Sequence, residues 1–260
     1  MNTQETETQD AALPTTTGNE PVIEINNLKK SFGNLSVLQD VSMKLFNGEN
    51  LVVLGKSGTG KSVLIKCIVG LLSFDGGQIK VFEKDVSTLN TNEMGELRQH
   101  IGFLFQSGAL YDSMTVKQNL EFPLRRIKKN LTEKEIAEKV NEVLENVGLA
   151  DALNKMPSQL SGGMRKRISL ARTIIVDPKL MLYDEPTTGL DPVTSDEISE
   201  LINEVQKKYK TSSIIITHDI KCALATAERI IMLAEGEVYK EGKLKDFKNS
   251  NDPLIKSFFN

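Results

Sequence analysis

Apolar residues in this chain form two kinds of strand pattern. Residues 22–25 and 41–45 alternate between apolar and polar side chains, which is typical of strands with one buried face. Residues 51–54, 180–183 and 214–216 are apolar throughout, as expected of strands buried on both faces. Because such strands occur mostly in parallel sheets covered by helices, the pattern predicts an α/β fold with a mostly parallel sheet.

Turn signals add a second type of strand pairing. Asn47-Gly48 joins the second alternating strand to the run at 51–54, and Gly76-Gly77 leads into a further short strand at 78–82. Near the C-terminus, residues 229–233, a turn at Glu235-Gly236 and residues 237–239 together predict a hairpin. We therefore expect a small antiparallel β element beside the parallel core.

The middle of the chain has helical spacing instead. Thr132 and Glu135 form a capping box, and Gly148 is placed as a C-terminal stop. Between them, apolar residues recur on one helical face: Ile136, Val140, Val143, Leu144 and Val147. A second helix is predicted from near Ser161 to before Pro178. Residues 107–176 therefore look like a helical subdomain inserted between core strands.

Composition narrows the class of protein. Hydrophobic residues make up 39% and charged residues 26%, which suits a globular domain with a substantial core. The net charge of −3 argues against a nucleic-acid partner. No apolar run approaches the roughly 20 residues that span a bilayer, and the N-terminus lacks the features of a secretory signal.

The two ends of the chain differ from its centre. Residues 1–21 are rich in Thr, Gln and acidic side chains, and we expect a disordered tail there. Residues 22–260 are predicted to form one domain with a C-terminal extension at about 240–260. In that extension Leu254, Ile255, Phe258 and Phe259 share one helical face. We expect this face to pack either on the chain's own core or on a neighbouring subunit.

The sequence between Gly55 and Ser62 reads G-x-x-x-x-G-K-S, with a strand pattern before it and a helix pattern after it. The backbone amides of Gly55, Ser57, Gly58, Thr59 and Gly60 are predicted to surround nucleotide phosphates. Lys61 would reach the β- and γ-phosphates, and the Ser62 hydroxyl would bind Mg²⁺. The alternative is a chance glycine-rich turn, which the flanking strand and helix disfavour.

Two further segments carry chemistry. Asp184 and Glu185 end an apolar strand, where Asp184 is suited to hold Mg²⁺ and Glu185 to activate the attacking water. The alternative is that Asp184 and Glu185 are ordinary solvated carboxylates that follow a strand. Ser161-Gly162-Gly163 begins a predicted helix and forms a second candidate anion site. By itself this segment would be only a helix N-cap.

Together these motifs resemble the nucleotide-binding subunit of ABC transporters, over nearly all of residues 22–239. The resemblance implies a phosphate-loop (RecA-like) core, a helical subdomain, and a head-to-tail homodimer that holds two ATP molecules with Mg²⁺. The matching segments occur in the family's order: 55–62, Gln106, 160–164, 183–185, 189–191 and His218.

The resemblance also suggests roles that residue chemistry alone does not. Phe32 would stack on adenine, although a surface or core Phe is the alternative. Gln106 would contact Mg²⁺ or the attacking water, and His218 would contact the γ-phosphate. Asp191 would lie at the dimer interface. Met164 departs from the family's commonest signature, in which the corresponding residue is Gln.

Local sequence at 106–110, 114–116, 122–125, 160–167 and 252–259 is similar to the ATPases of Mla/Mce-type lipid transport systems. That similarity implies phospholipid transport between bacterial membranes. The partners would be a separate transmembrane permease and a lipid-binding periplasmic Mce-type component. The ATPase would lie at the cytoplasmic face of the inner membrane.

Two alternatives remain at this stage. One is an importer ATPase for polar amino acids or another small solute. The other is an ABC ATPase that works on DNA or ribosomes without a membrane partner, which the absence of a long heptad insertion disfavours. The basic runs at 125–129 and 165–167 are interpreted as solvated helix faces.

Overall fold

The computed structural model describes residues 20–259. The tail predicted at 1–21 therefore lies almost entirely outside the described residues. Within the described part, no helix has both the length and the apolar character needed to cross a membrane.

The described strands form one sheet with two differently paired halves. The sheet order is β5-β4-β1-β2-β10-β9-β3-β8-β7-β6. In chain order the strands are β1 Pro21–Phe32, β2 Leu35–Phe46, β3 Asn50–Leu54, β4 Gly76–Val81, β5 Lys84–Asp85, β6 Ile101–Leu104, β7 Leu180–Asp184, β8 Ser212–Thr217, β9 Arg229–Ala234 and β10 Glu237–Gly242.

In the parallel half, the carboxyl ends of the strands lie at one edge. Leu54 at the end of β3 pairs with Thr217 at the end of β8, while Asp184 at the end of β7 pairs with Ile216. Strand β6 runs parallel to β7 on its far side. In open α/β sheets this carboxyl edge is where ligands bind.

The other half is antiparallel, as the turn signals predict. Strand β1 pairs with both β2 and β4, and β4 continues into the short β5. The two halves meet where Glu237 of β10 pairs with Asp40 of β2. Strands β9 and β10 form the predicted C-terminal hairpin. The α/β class with a mostly parallel core and a small antiparallel element is confirmed.

Helices cover both faces of the sheet. The described α-helices are α1 Lys61–Ile68, α2 Thr91–Gln99, α3 Val116–Ile127, α4 Glu133–Asn146, α5 Gly162–Ile174, α6 Pro192–Tyr209, α7 Ile220–Thr226, α8 Leu244–Lys248 and α9 Pro253–Phe259. Two short 3₁₀ helices, Ala150–Ala152 and Pro157–Gln159, lie between α4 and α5. The capping box of Thr132 and Glu135 is confirmed at the start of α4. Helix α2 was not predicted from the pattern, although Asn90 and Glu93 form a capping box there too.

The all-apolar runs face two cores at once. Val52 and Leu54 of β3 pack among the helices of the 107–176 region and α6, whereas Leu51 and Val53 pack against α1 and the antiparallel strands. Successive side chains of a strand point to opposite faces, so each residue of β3 is buried on one side or the other. This double burial explains why the run has no polar position.

The C-terminal stripe packs on the chain's own core. Ile255 is 1% exposed and belongs to the cluster that also includes Phe247 of α8, while Leu254 and Phe258 are partly buried against it. Asp252 holds the start of α9 by accepting hydrogen bonds from the backbone N–H groups of Leu254 and Ile255, at 2.8 and 3.1 Å. Of the two packing alternatives, the own-core contact is the one observed for these three side chains.

Replacing Ile255 with Ala should lower the free energy of unfolding by about 2–4 kcal/mol, because a buried side chain is removed and a cavity remains. The measurement is chemical denaturation of the whole chain. The matched control is Lys256→Ala on the exposed side of α9, for which a change within about 0.5 kcal/mol is expected. Equal stability of the two variants would contradict the docking of α9.

Candidate functional site

The loop between β3 and α1 has a backbone shape that requires glycine. Gly58 and Gly60 have φ of 84° and 95°, in the left-handed region that other residues avoid. A Cβ at Gly60 would lie 2.7 Å from Cδ2 of Leu38, and one at Gly55 would lie 2.6 Å from the carbonyl oxygen of Leu233. The loop then enters α1, whose first backbone N–H groups have no partner within the helix. This geometry can hold an anion such as phosphate.

Lys61 places a positive charge inside this loop. Its Nζ donates hydrogen bonds to the carbonyl oxygens of Gly55 at 2.7 Å and Lys56 at 3.0 Å, and lies 3.5 Å from Oε1 of Glu185. Burial lowers the pKa of the Lys61 ammonium, while the Glu185 carboxylate opposes that shift. The side chain is only 5% exposed, so its charge is weakly screened by water.

Ser62 and Asp184 form the candidate metal-binding pair. The Ser62 hydroxyl donates a hydrogen bond of 2.9 Å to Oδ1 of Asp184. Burial raises the pKa of Asp184, the Ser62 hydrogen bond opposes this, and the neighbouring Glu185 charge adds to it. A hydroxyl and a carboxylate are oxygen ligands of the kind Mg²⁺ prefers. The described residues contain no cluster of three His, Cys, Asp or Glu side chains that could hold a metal alone. Mg²⁺ is commonly bound by one or two carboxylates together with waters and substrate phosphates, so one carboxylate and one hydroxyl fit a shared site of that kind.

Glu185 is held in an unusual backbone conformation beside His218. Its φ is +50°, which a non-glycine residue adopts at some energetic cost. Oε2 of Glu185 lies 2.8 Å from Nδ1 of His218 and accepts a hydrogen bond from the Thr188 hydroxyl at 3.2 Å. The backbone N–H of Glu185 donates to the carbonyl oxygen of Ile216 at 2.9 Å. The carboxylate is thus oriented from several sides and can accept a proton from a bound water.

A cleft of about 300 Å³ joins most of these groups, and Asp184, which is not part of its lining, is connected to it through the hydrogen bond from Ser62. The cleft is lined by Val37, Ser57, Gly58, Gly60, Lys61, Ser62, Val63, Gln106, Glu185 and His218. Gln106, which follows the end of β6, lines this cleft. Sequence reasoning missed Val37, which comes from the antiparallel half and has no distinguishing motif.

Other predicted site residues lie outside the cleft lining. Phe32 at the end of β1 is 46% exposed, with the ammonium of Lys30 5.3 Å from its ring centroid. Ser161 caps α5, where its hydroxyl accepts a hydrogen bond from the backbone N–H of Met164 at 3.2 Å. Ser161 and Gly162 are exposed. Among the described residues, those that line the cleft do not include Ser161, Gly162 or Gly163.

Gly163 and Asp191 both lie next to Thr194 of α6. A Cβ at Gly163 would lie 2.5 Å from Cγ2 of Thr194, so α5 and α6 approach closely only because this residue is glycine. Asp191 caps α6 by accepting from the backbone N–H groups of Val193 and Thr194, and hydrogen bonds from Thr194 lower its pKa. The exposed start of α5 is therefore fixed against the start of α6.

One interpretation of the basic runs was wrong. Lys166 was predicted to lie on a solvated helix face, but its side chain is buried, with 6% of the residue exposed. Its Nζ donates a hydrogen bond of 2.6 Å to the carbonyl oxygen of Gln106 and lies 3.5 Å from that of Glu185. Helical spacing could have indicated this burial, because Lys166 lies one turn before the buried Leu170.

Comparison with known proteins identifies a matching family and several similar proteins. A family model described as ABC transporter matches residues 38–188. The "Probable ribonucleotide transport ATP-binding protein mkl" of Mycobacterium bovis is 40% identical over 238 residues, which cover 92% of this chain and 66% of that protein. The "Methionine import ATP-binding protein MetN" of Campylobacter jejuni is 35% identical over 252 residues, covering 91% of this chain and 75% of the relative.

A plant protein and a solved structure are also similar. The chloroplastic protein "TRIGALACTOSYLDIACYLGLYCEROL 3" of Arabidopsis thaliana is 38% identical over 254 residues, covering 91% of this chain and 73% of that protein. The dimeric ATP-binding cassette MJ0796, in a post-hydrolysis state with ADP and Pi, superposes with a TM-score of 0.78 at 30% identity. It covers 85% of this chain and 98% of its own.

Replacing Lys61 with Ala should weaken ATP binding and reduce hydrolysis by about 100-fold or more, because the phosphates lose their buried cationic partner. Calorimetric binding and phosphate release are the measurements. Lys56→Ala is the matched control, since Lys56 lies in the same loop but is exposed. We expect it to keep near-normal activity. Near-normal hydrolysis in the Lys61 variant would rule out the phosphate-loop assignment.

Proposed function

The chain belongs to the ABC transporter family and carries its ATPase domain, and on that premise we propose that two copies bind ATP at a shared interface and hydrolyse it to drive transport. The cleft at the carboxyl edge of the sheet would be one half of each ATP site. A separate transmembrane chain would supply the translocation path.

The phosphate loop would hold the nucleotide. The backbone of residues 55–60 surrounds the phosphates, and Lys61 neutralises part of their charge. Ser62, Asp184 and Gln106 would hold Mg²⁺, which when bound neutralises the charge that develops on the phosphate oxygens. The hydrogen bond between Ser62 and Asp184 supports this role, because it already brings two oxygen ligands together.

Glu185 would act as the general base, and its contact with His218 is the observation that carries the proposal. Oε2 of Glu185 lies 2.8 Å from Nδ1 of His218, and Oε1 lies 3.5 Å from Nζ of Lys61. The carboxylate is thereby fixed beside the loop that holds the phosphates. As the oxygen of water attacks the γ-phosphorus, Glu185 takes the proton and the bond to ADP breaks. His218, which follows β8, would contact the γ-phosphate.

The second half of each site would come from another copy of the chain. Ser161, Gly162 and Gly163 lie at the start of a long helix, are exposed or half-exposed, and have amides suited to an anion. Since they do not line their own chain's cleft, they would meet the ATP of the partner subunit. The exposed ring of Phe32 is free to stack on adenine. The dimeric state of a similar cassette supports this arrangement.

Lipid is the substrate class that we favour. The local similarity to Mla/Mce-type ATPases supports it, and so does a 38%-identical relative whose name is that of a galactolipid. The partners would then be a permease and a lipid-binding periplasmic Mce-type component, with this chain at the cytoplasmic face of the bacterial inner membrane. The exposed aromatic pair of Tyr111 and Phe122, whose ring centroids lie 5.3 Å apart, offers a surface for the permease.

A small-solute importer is the second candidate. The relatives named for methionine import and ribonucleotide transport favour it, at 35% and 40% identity. Both candidates use the same ATPase chemistry, so only the substrate and the membrane partners distinguish them. The chain spans 66% of the length of the Mycobacterium bovis relative.

Replacing Glu185 with Gln should reduce hydrolysis by at least about 100-fold while ATP still binds, because the amide keeps the shape but cannot take the proton. ATP bound without turnover stabilises the closed state by mass action. The variant should therefore become a dimer in ATP, measured by light scattering with and without nucleotide.

Adding Ser161→Arg to that variant should abolish the dimer, because a bulky side chain would occupy the space of the partner's γ-phosphate. Wild-type turnover in Glu185→Gln would disprove the base assignment. A variant that binds ATP yet stays monomeric, alone and with its permease, would disprove the shared site.

The substrate proposal is tested by isolating the complex from its native membrane and reconstituting it in vesicles. We expect phospholipid to co-purify, and phospholipid in the binding component to stimulate ATP hydrolysis above the basal rate. Stimulation by an amino acid or nucleotide, with no effect of phospholipid, would favour the importer instead.

A further inference from the structure

Helix α5 contacts the catalytic region of its own chain through a residue that the ATPase motifs do not include. Lys166 lies five residues after Ser161, about 7.5 Å further along the helix axis at the usual helical rise. Its buried Nζ donates to the carbonyl oxygen of Gln106 at 2.6 Å and lies 3.5 Å from the carbonyl oxygen of Glu185. One helix therefore connects the segment that would meet the partner's ATP with two segments of its own site.

We propose that Lys166 is a positioning residue that links the start of α5 to the backbone of Gln106 and Glu185. It would hold the Gln106 loop and the Glu185 turn where hydrolysis needs them, and would move them when the start of α5 moves. The inference rests on the proposed role of Glu185 as the general base.

The surroundings of Lys166 suit this role. The ammonium is removed from water, so burial lowers its pKa, and the charges of Asp184 and Glu185 oppose that shift. The two carboxylates therefore favour a charged, hydrogen-bonding lysine at this position. A hydrogen bond from a charged donor is stronger and shorter than one from a neutral donor. The 2.6 Å contact with Gln106 fits that description.

The two acceptors lie on segments that need support. Gln106 follows the end of β6 and Glu185 follows the end of β7, so neither belongs to a strand. Glu185 also has the left-handed φ of +50°, a conformation that persists only when its surroundings enforce it. Its N–H is held by Ile216 of β8, and its carbonyl oxygen faces Lys166. Lys166 thus supports the turn from the side opposite to the sheet.

The connection through α5 is rigid. The helix runs from Gly162 to Ile174, and buried residues line the rest of its length: Ile168, Ser169, Leu170, Ala171 and Ile174. When the start of α5 shifts to meet a nucleotide on the partner subunit, Lys166 must shift with it. Lys166 would then displace the carbonyl oxygens of Gln106 and Glu185, so that nucleotide binding at the partner's site changes the geometry of the chain's own site.

The test compares Lys166→Met, which keeps length but removes the donor, with Lys166→Gln, which keeps an N–H donor without the charge. Lys139→Met is the matched control, because Lys139 is a partly exposed lysine of α4 whose salt bridge to Asp177 is remote from the cleft. We expect Lys166→Met to lower kcat by about 10-fold or more with KM for ATP within about twofold. Lys166→Gln should recover part of the loss, and Lys139→Met should change neither constant.

Hydrogen exchange of the nucleotide-free chain provides a readout independent of hydrolysis. In Lys166→Met the amides of residues 105–109 and 185–188 should exchange faster, while those of β3 and β8 stay unchanged. An unchanged kcat, an unchanged exchange pattern, or a loss of protection across the whole domain would each overturn the proposal. Failure of Lys166→Gln to improve on Lys166→Met would also overturn it, because the donor would then not be what matters.

The two hypotheses fail in different ways. If Glu185→Gln hydrolyses ATP normally, the general-base assignment is wrong whatever Lys166 does. If Glu185→Gln is inactive but Lys166→Met has normal kcat and exchange, only the positioning role is wrong.

Discussion

Strand β8 lies between β3 and β7, and its parallel hydrogen bonds to both bring three loops to one edge of the sheet. The pairing of Leu54 with Thr217 places the phosphate loop beside His218, and that of Asp184 with Ile216 places the two carboxylates next to them. A shift in register by one residue would turn every side chain of a strand to the opposite face. Because β3, β7 and β8 are buried on both faces, such a shift would disrupt two cores at once.

The site concentrates charge where water is largely excluded. Lys61, Lys166, Asp184 and Glu185 are each less than 10% exposed. Burial lowers the pKa of both lysines and raises that of Asp184, so each charged form is disfavoured in isolation. The charges are held because they face one another and the carbonyl oxygens of the loops. Phosphate and a divalent cation bring compensating charges to such an arrangement, which is the physical reason that it suits a nucleotide.

Helix α5 connects the exposed segment at Ser161 with the site of its own chain. Its first residues are held by Ser161 and by the close approach of Gly163 to Thr194, while Lys166 contacts the backbone of Gln106 and Glu185 in its own chain's site. Helix α5 and the loop at Gln106 are therefore joined by a direct hydrogen bond rather than being two separate motifs. The aromatic pair of Tyr111 and Phe122 also contacts α5, because the guanidinium of Arg172 lies 4.6 Å from the ring centroid of Tyr111.

The sequence by itself determined the buried strands, the start of α4 and the shape of the glycine-rich loop. The buried strands were indicated by uninterrupted apolar runs, and the start of α4 by a capping box. The phosphate loop was indicated by its glycines, which are required where the backbone turns tightly. These signals are local, since each depends on the conformational preferences of a few adjacent residues. The left-handed φ of Gly58 and Gly60 is one such preference.

Only the tertiary structure decided which distant residues meet. Lys166 looked like part of a solvated basic run, because nothing adjacent shows that α5 packs it against Gln106 and Glu185. Val37 reached the cleft from the antiparallel half, and Ile255 packed on its own core, for the same reason. Such contacts depend on sheet order and helix packing, which arise from the burial of many side chains at once and leave no mark on any single segment.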